Sequence, residues 1–300
     1  MPLAFCTYDV FTQDRYSGNP LAIVRGADGL SDAAMQRIAG EFNLSETIFI
    51  QMPEDAAHTA KVRIFTPVHE IPFAGHPTIG CAIMLAEDGA GGGDFETIVT
   101  LEEQAGLVPV TVERTGGCSI ATLTAPVIPV AIDAPFSAGD AAAAIGLRPD
   151  DIGFDTHVAG VAEGGPRFVY VPVRDLDALA RAKPSGDAIA AMSDACGTWS
   201  VYAYTTGSNG ADYRSRMFAP LGGIPEDPAT GSATALLAAH LDACGVVGDG
   251  TTDLLLHQGV EMGRPSRIAL GIDRADGALT AVRVGGSAVR VSEGTLEPPS

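Results

Sequence analysis

Two short loops concentrate residue types that could hold an anion or move a proton. The first is Phe73-Ala74-Gly75-His76-Pro77-Thr78-Ile79-Gly80, and the second is Glu226-Asp227-Pro228-Ala229-Thr230-Gly231-Ser232-Ala233-Thr234. Each is a turn of small residues that feeds an apolar helical segment. Such a start presents free backbone N–H groups and the positive end of a helix dipole, which together attract a carboxylate. The dipole also disfavours a protonated imidazole, so His76 reads either as a neutral group that donates one hydrogen bond or as a cap for its own turn. Asp227 precedes a proline and Ser232 suits an N-cap, so turn formation alone would account for both. The third candidate, Glu46, lies in Asn43-Leu44-Ser45-Glu46-Thr47, just before the apolar run Ile48-Phe49-Ile50. It is either an exposed strand end or a partly desolvated carboxyl of raised pKa, able to take a proton from carbon and return it elsewhere.

Several other chemistries lack their residues. Gly75 to Gly80 has the glycine spacing of a phosphate loop, but Cys81-Ala82 stands where Lys-Ser/Thr is needed. No strand-coupled G-x-G-x-x-G is present, so neither nucleotide nor dinucleotide cofactor is expected. His69-Glu70 does not complete H-E-x-x-H, and Cys6, Cys81, Cys118, Cys196 and Cys244 contain no C-x-x-C pair. No metal site is expected, and the scattered thiols suit a reducing cytosol. Lys61 and Lys183, the only lysines, sit in no Schiff-base context. The formal charge of −19, from 18 Lys+Arg against 37 Asp+Glu, argues against nucleic acid and anionic membranes as partners. With no export signal or membrane span in the pattern, a cytoplasmic protein is expected.

The elements that must position these residues follow from periodicity. With 46% hydrophobic residues, a chain of 300 can form two domains or one large unit. Alternation and turn residues predict strands at 7–11, 21–24, 46–50, 61–65, 97–101, 108–113 and 119–124, with helices at 31–42 and 77–86 and a loop at 89–93. A proline-containing crossover at 125–135 marks a boundary. Beyond it, helices are predicted at 138–145, 176–183 and 187–195, and strands at 168–173 and 200–204.

This order repeats. Arg63-Ile64-Phe65-Thr66-Pro67 resembles Arg216-Met217-Phe218-Ala219-Pro220 at an offset of 153, and Ile71-Pro72 falls on Ile224-Pro225. After a three-residue gain, Gly75 matches Gly231 and Thr78 matches Thr234. Duplication is the reading these matches favour. Pseudo-twofold halves would turn their matching loops toward one cleft, where small ligands bind.

The motifs identify a family resemblance. Asp9-Val10-Phe11, Gly18-Asn19-Pro20-Leu21-Ala22-Ile23-Val24, the Glu46 and His76 stretches, Glu226 to Ala233, Gln258-Gly259 and Met262-Gly263-Arg264-Pro265-Ser266 occur in the order seen in the PhzF-like phenazine-biosynthesis family. That family lies within the diaminopimelate epimerase-like superfamily. The resemblance implies an α+β fold of two similar domains, each a curled sheet around a central helix, with the site in the interdomain cleft. The expected domains are 1–125, completed by a strand at 287–300, and 126–286. A homodimer is also implied.

By the same resemblance the chain is a cofactor-independent isomerase acting on a small carboxylic acid. Glu46 would be the acid/base, with His76, Asp227 and Ser232 assisting the proton movement. Ser45, Gly75, Pro77, Thr78, Thr230 and Gly231, in the matching stretches, are the expected substrate-binding positions. Epimerase and racemase relatives use two cysteines at corresponding loops, and neither loop here contains one. The alternatives are an epimerase or racemase of a small amino or hydroxy acid, and a non-catalytic protein that binds such an acid.

Overall fold

The computed structural model describes residues 2–299. The described chain falls into two compact units, one running to Thr124 and resuming at Gly285, the other Ala125–Val284.

The first unit contains β1 (Leu3–Val10), β2 (Asn19–Val24), α1 (Asp32–Phe42), β3 (Glu46–Gln51), β4 (Ala60–Phe65), β5 (Glu70–Ile71), α2 (Gly75–Ala90), β6 (Phe95–Glu103), β7 (Gly106–Thr115) and β8 (Cys118–Thr124). β1 runs antiparallel to β2, β2 parallel to β3, β3 antiparallel to β4, and β4 parallel to β6; β6, β7 and β8 form a meander. The long β17 (Ala278–Leu296) pairs with both β8 and β1, which closes the ring of strands.

Helix α2 packs against β1, β2, β3, β6, β7 and β8, and its residues from Gly75 to Met84 are all buried. A helix that is apolar on every side belongs inside a core rather than on a surface. Gly80 allows the close approach: a Cβ there would lie 2.7 Å from Leu21 Cδ2 and 2.8 Å from Val10 Cγ2. Outside the ring, α1 covers a second cluster that includes Met35, Ile38, Phe49 and Phe65. Ser31 caps it, accepting from the Ala34 amide, and Asn43 ends it in the left-handed conformation.

The second unit contains β9 (Val130–Ile132), α3 (Ala138–Ala144), β10 (Gly160–Glu163), β11 (Arg167–Pro172), α4 (Leu176–Arg181), α5 (Gly186–Cys196), β12 (Val201–Thr206), β13 (Tyr213–Ala219), β14 (Ile224–Asp227), α6 (Gly231–Ala243), β15 (Gly250–Gln258) and β16 (Ser266–Ala275). Here β11 and β12 are parallel, as are β13 and β15. Buried α6 packs against β9, β10, β11 and β16, while α3 to α5 cover an outer cluster that includes Val169, Leu179 and Phe218.

Three features depart from the expected elements. The predicted crossover contains β9, which pairs with β10. α2 continues through Gly89 to Ala90, so the loop begins only at Gly91, whose φ is +63°. The helix expected at 176–183 ends at Arg181.

The repeat extends to side chains. Arg63 bonds Glu70 through Nε at 2.7 Å and lies over the Phe65 ring at 5.2 Å. Arg216 bonds Glu226 through Nε at 2.8 Å and lies over Phe218 at 4.9 Å. In both units the fourth helical residue bonds back through its hydroxyl, Thr78 Oγ1 to Ala74 O at 2.7 Å and Thr234 Oγ1 to Thr230 O at 3.1 Å.

Candidate active site

In the first unit, three elements begin at the same place. β2 opens with Asn19, β3 opens with Glu46, and α2 carries His76 as its second residue. The parallel register Leu21↔Glu46 sets the two strand ends side by side. His76 Nδ1 lies 3.4 Å from Glu46 Oε2 and 3.4 Å from Asn19 Nδ2.

The Glu46 side chain is 14% exposed and that of His76 only 5%, so Glu46 is a half-buried group against a buried ring and not a free strand end. Burial in an apolar setting lowers the His76 pKa to about 3 and keeps the ring neutral. Desolvation thus does what the helix dipole was expected to do. A neutral imidazole holds one proton. With it on Nε2, the ring accepts at Nδ1 from the Asn19 amide, and Glu46 lies beside that nitrogen at 3.4 Å. Nε2 is buried and has no hydrogen-bond partner among the described residues.

His76 does not cap its helix, because Ala74 is the N-cap and no side chain caps that end. Gly75, His76 and Pro77 form the first turn and Thr78 the residue after it, all buried. Pro77 removes one amide there, and the remaining first-turn amides have no intrahelical acceptor. Ser45 immediately precedes β3 and is half-buried.

The second unit holds the other candidates around the start of α6. Asp227, the last residue of β14, is buried, and its Oδ2 accepts from Thr230 Oγ1 at 2.6 Å. Thr230 is the N-cap, so Ser232 is not; it lies in the first turn after Gly231 and is half-buried. Gln258 fixes this turn. Its Oε1 accepts from the Thr230 amide at 3.2 Å, and its Nε2 donates to Asp227 O at 2.8 Å and to Thr230 Oγ1 at 3.0 Å. Ser266 Oγ donates to Pro228 O at 2.9 Å.

Asn19, Gln258 and Ser266 had no assigned role in the sequence reading. All three are fully buried polar residues at strand ends, and the visible signal was a polar side chain bordering an apolar run. The remaining histidines have other surroundings. His58 bonds Glu102, His157 bonds Tyr204 Oη at 2.8 Å, and His240 stacks on Tyr170. Among the described residues no group of three or more His, Cys, Asp or Glu side chains could hold a metal ion. No helix among them is long and apolar enough to cross a membrane.

Comparison with known proteins gives this geometry its context. The family model for phenazine biosynthesis-like proteins matches residues 8–294. An uncharacterized isomerase of Mesorhizobium japonicum is 40% identical over 97% of this chain and 98% of its own. The trans-2,3-dihydro-3-hydroxyanthranilate isomerase of Pseudomonas aeruginosa is 36% identical over 97% of this chain and 98% of its own. A crystal structure of a PhzF-family phenazine biosynthesis protein from Bacillus anthracis superposes with a TM-score of 0.88 at 26% identity, covering 99% of each chain. The mixed α+β fold is therefore the one that family adopts. The chain belongs to the phenazine biosynthesis-like (PhzF) family, within the diaminopimelate epimerase-like superfamily, and is an isomerase of that family.

Proposed function

We propose that the protein moves a carbon-bound proton on a small carboxylic acid without a cofactor, with Glu46 as the acid/base. The observation that carries this reading is the contact of Glu46 Oε2 with the Nδ1 of a buried, neutral His76. Glu46 is held beside the ring at the mouth of β3, and a positioned acid/base of this kind contributes roughly 10²–10⁴ in rate. Glu46 removes a proton from carbon, the resulting anion is delocalised, and the proton returns at another carbon.

The amides at the starts of α2 and α6, with Ser45, Gly75, Pro77, Thr78, Thr230 and Gly231, serve substrate binding. A helix start favours one anionic group by about 0.3–1 kcal/mol where exposed and up to about 2 kcal/mol where partly buried. Asp227 and Ser232 assist the proton movement. The place of Ser232 supports that role, since it is half-buried in the first turn of α6 beside the Asp227–Thr230 pair.

The first compound to test is trans-2,3-dihydro-3-hydroxyanthranilate, which appears in the name of the Pseudomonas aeruginosa relative. Turnover in D2O should place deuterium in the product if Glu46 exchanges its proton with solvent. Glu46→Gln should bind the compound and lose turnover by at least about 10²-fold; a variant with unimpaired turnover overturns the assignment. Chiral analysis of the product distinguishes a shifted double bond from an inverted centre.

A further inference from the structure

A buried carboxyl behind the first helix start has no part in the chemistry above. Glu103 is the last residue of β6 and 8% exposed. Its Oε1 lies 2.6 Å from Thr78 Oγ1, and that same Oγ1 lies 2.7 Å from Ala74 O, the N-cap carbonyl of the helix that carries His76. A threonine hydroxyl has one proton and here faces two acceptors. If Glu103 were a carboxylate, one of these short O···O contacts would lack a hydrogen, and the buried Oε2, which has no hydrogen-bond partner among the described residues, would carry charge without compensation.

The repeat supplies a comparison. The parallel register Lys61↔Glu102 in the first unit corresponds to Arg214↔His257 in the second, so Glu103 and Gln258 are the next residues along equivalent strands. Gln258 also ties its strand end to the N-cap of the helix that precedes it, α6, and it does so as a neutral amide that both donates and accepts. A carboxylic acid can do the same, whereas a carboxylate only accepts.

We propose that Glu103 is a positioning residue that works as the neutral acid, donating its proton to Thr78 Oγ1 so that Thr78 donates to Ala74 O and fixes the turn bearing His76. The role in turnover rests on the function proposed above; the protonation state does not.

The charged and titratable neighbours leave Glu103 without a counter-ion. On β4, Arg63 bonds Glu70 of β5 and Asp32, and Lys61 bonds Glu54. His58 bonds Glu102 beside it on β6, Asp55 lines the same groove as Glu103, and α2 contributes the buried Cys81 thiol and, two residues before Thr78, the neutral His76 ring. Desolvation accordingly lifts the Glu103 pKa to about 7, with the Thr78 bond opposing it.

The test is carboxyl NMR on protein labelled with 13C at glutamate side chains, the Glu103 signal being the one missing from Glu103→Gln. That signal should titrate at least 1.5 pH units above ordinary glutamates, and the His76 ring signals should move with the same midpoint in the wild type but not in Glu103→Gln. Glu103→Gln should keep the pH 6 ring spectrum of His76, while Glu103→Leu should displace it. A Glu103 midpoint in the ordinary range overturns the proposal, as does a Glu103→Gln ring spectrum displaced at pH 6. If instead Glu46→Gln retains full turnover, the isomerase mechanism fails while the titration still decides the state of Glu103.

Discussion

Glu46 and His76 are 30 positions apart in sequence and 3.4 Å apart in space. A carboxyl ahead of an apolar strand and a histidine at a helix start were each legible as unusual, but their contact needs the parallel β2–β3 register and could not be read from spacing. Gln258 was harder still, because a buried amide at the end of a strand looks like any polar boundary until its three hydrogen bonds are seen. Thr230 is central to that network, giving a proton to Asp227 and receiving one from Gln258. Thr230→Val keeps the shape and removes both interactions, so it should lower stability by about 1–3 kcal/mol. Urea midpoints for the variant and wild type, compared at one pH, measure that loss; an unchanged midpoint would show that Asp227 and Gln258 find other partners.

The secondary structure of both repeats was legible where periodicity is long, as in α1 and the β6–β8 meander. It was illegible where tertiary pairing overrides composition. β9 and β14, of 3 and 4 residues, are too short to show a period. β17 contains Gly285-Gly286, residues that weaken a strand, yet its partners β1 and β8 keep it extended. The glycine requirement is strict at α2: Gly80→Ala sets a methyl against Leu21 and Val10 and should cost about 1–3 kcal/mol by overpacking. Hydrogen exchange at the α2 and β2 amides should rise in that variant. Gly89→Ala, where a Cβ meets nothing within 4 Å, serves as the control.

The pH response of the molecule combines two opposing sets of buried groups. Glu103 has a raised folded pKa, so its contribution to stability is complete below about pH 4.5 and is lost as pH rises through about 7. The amount is on the order of 3 kcal/mol. Against wild type, Glu103→Gln should therefore gain about that much as the pH is raised from 4.5 to 8 in urea titrations. His240 behaves oppositely: burial lowers its pKa to about 3, so its contribution is complete above about pH 6.5 and is lost as pH falls toward 3. His240→Gln should gain on the wild type over that acid range. Equal slopes for variant and wild type would show that neither group titrates as its surroundings demand.

The strand that closes the first ring has a consequence in the living cell. The part of β17 from Gly285 onward follows the whole second unit in the chain, yet β1 and β8 pair with this strand. A ribosome will therefore have exposed residues 1–124 long before it makes their last partner, leaving two unsatisfied strand edges on the nascent polypeptide. Arrested translation products that stop at residue 284 should be cut by protease within β1 and β8 and be favoured clients for chaperones. Products released at full length should resist.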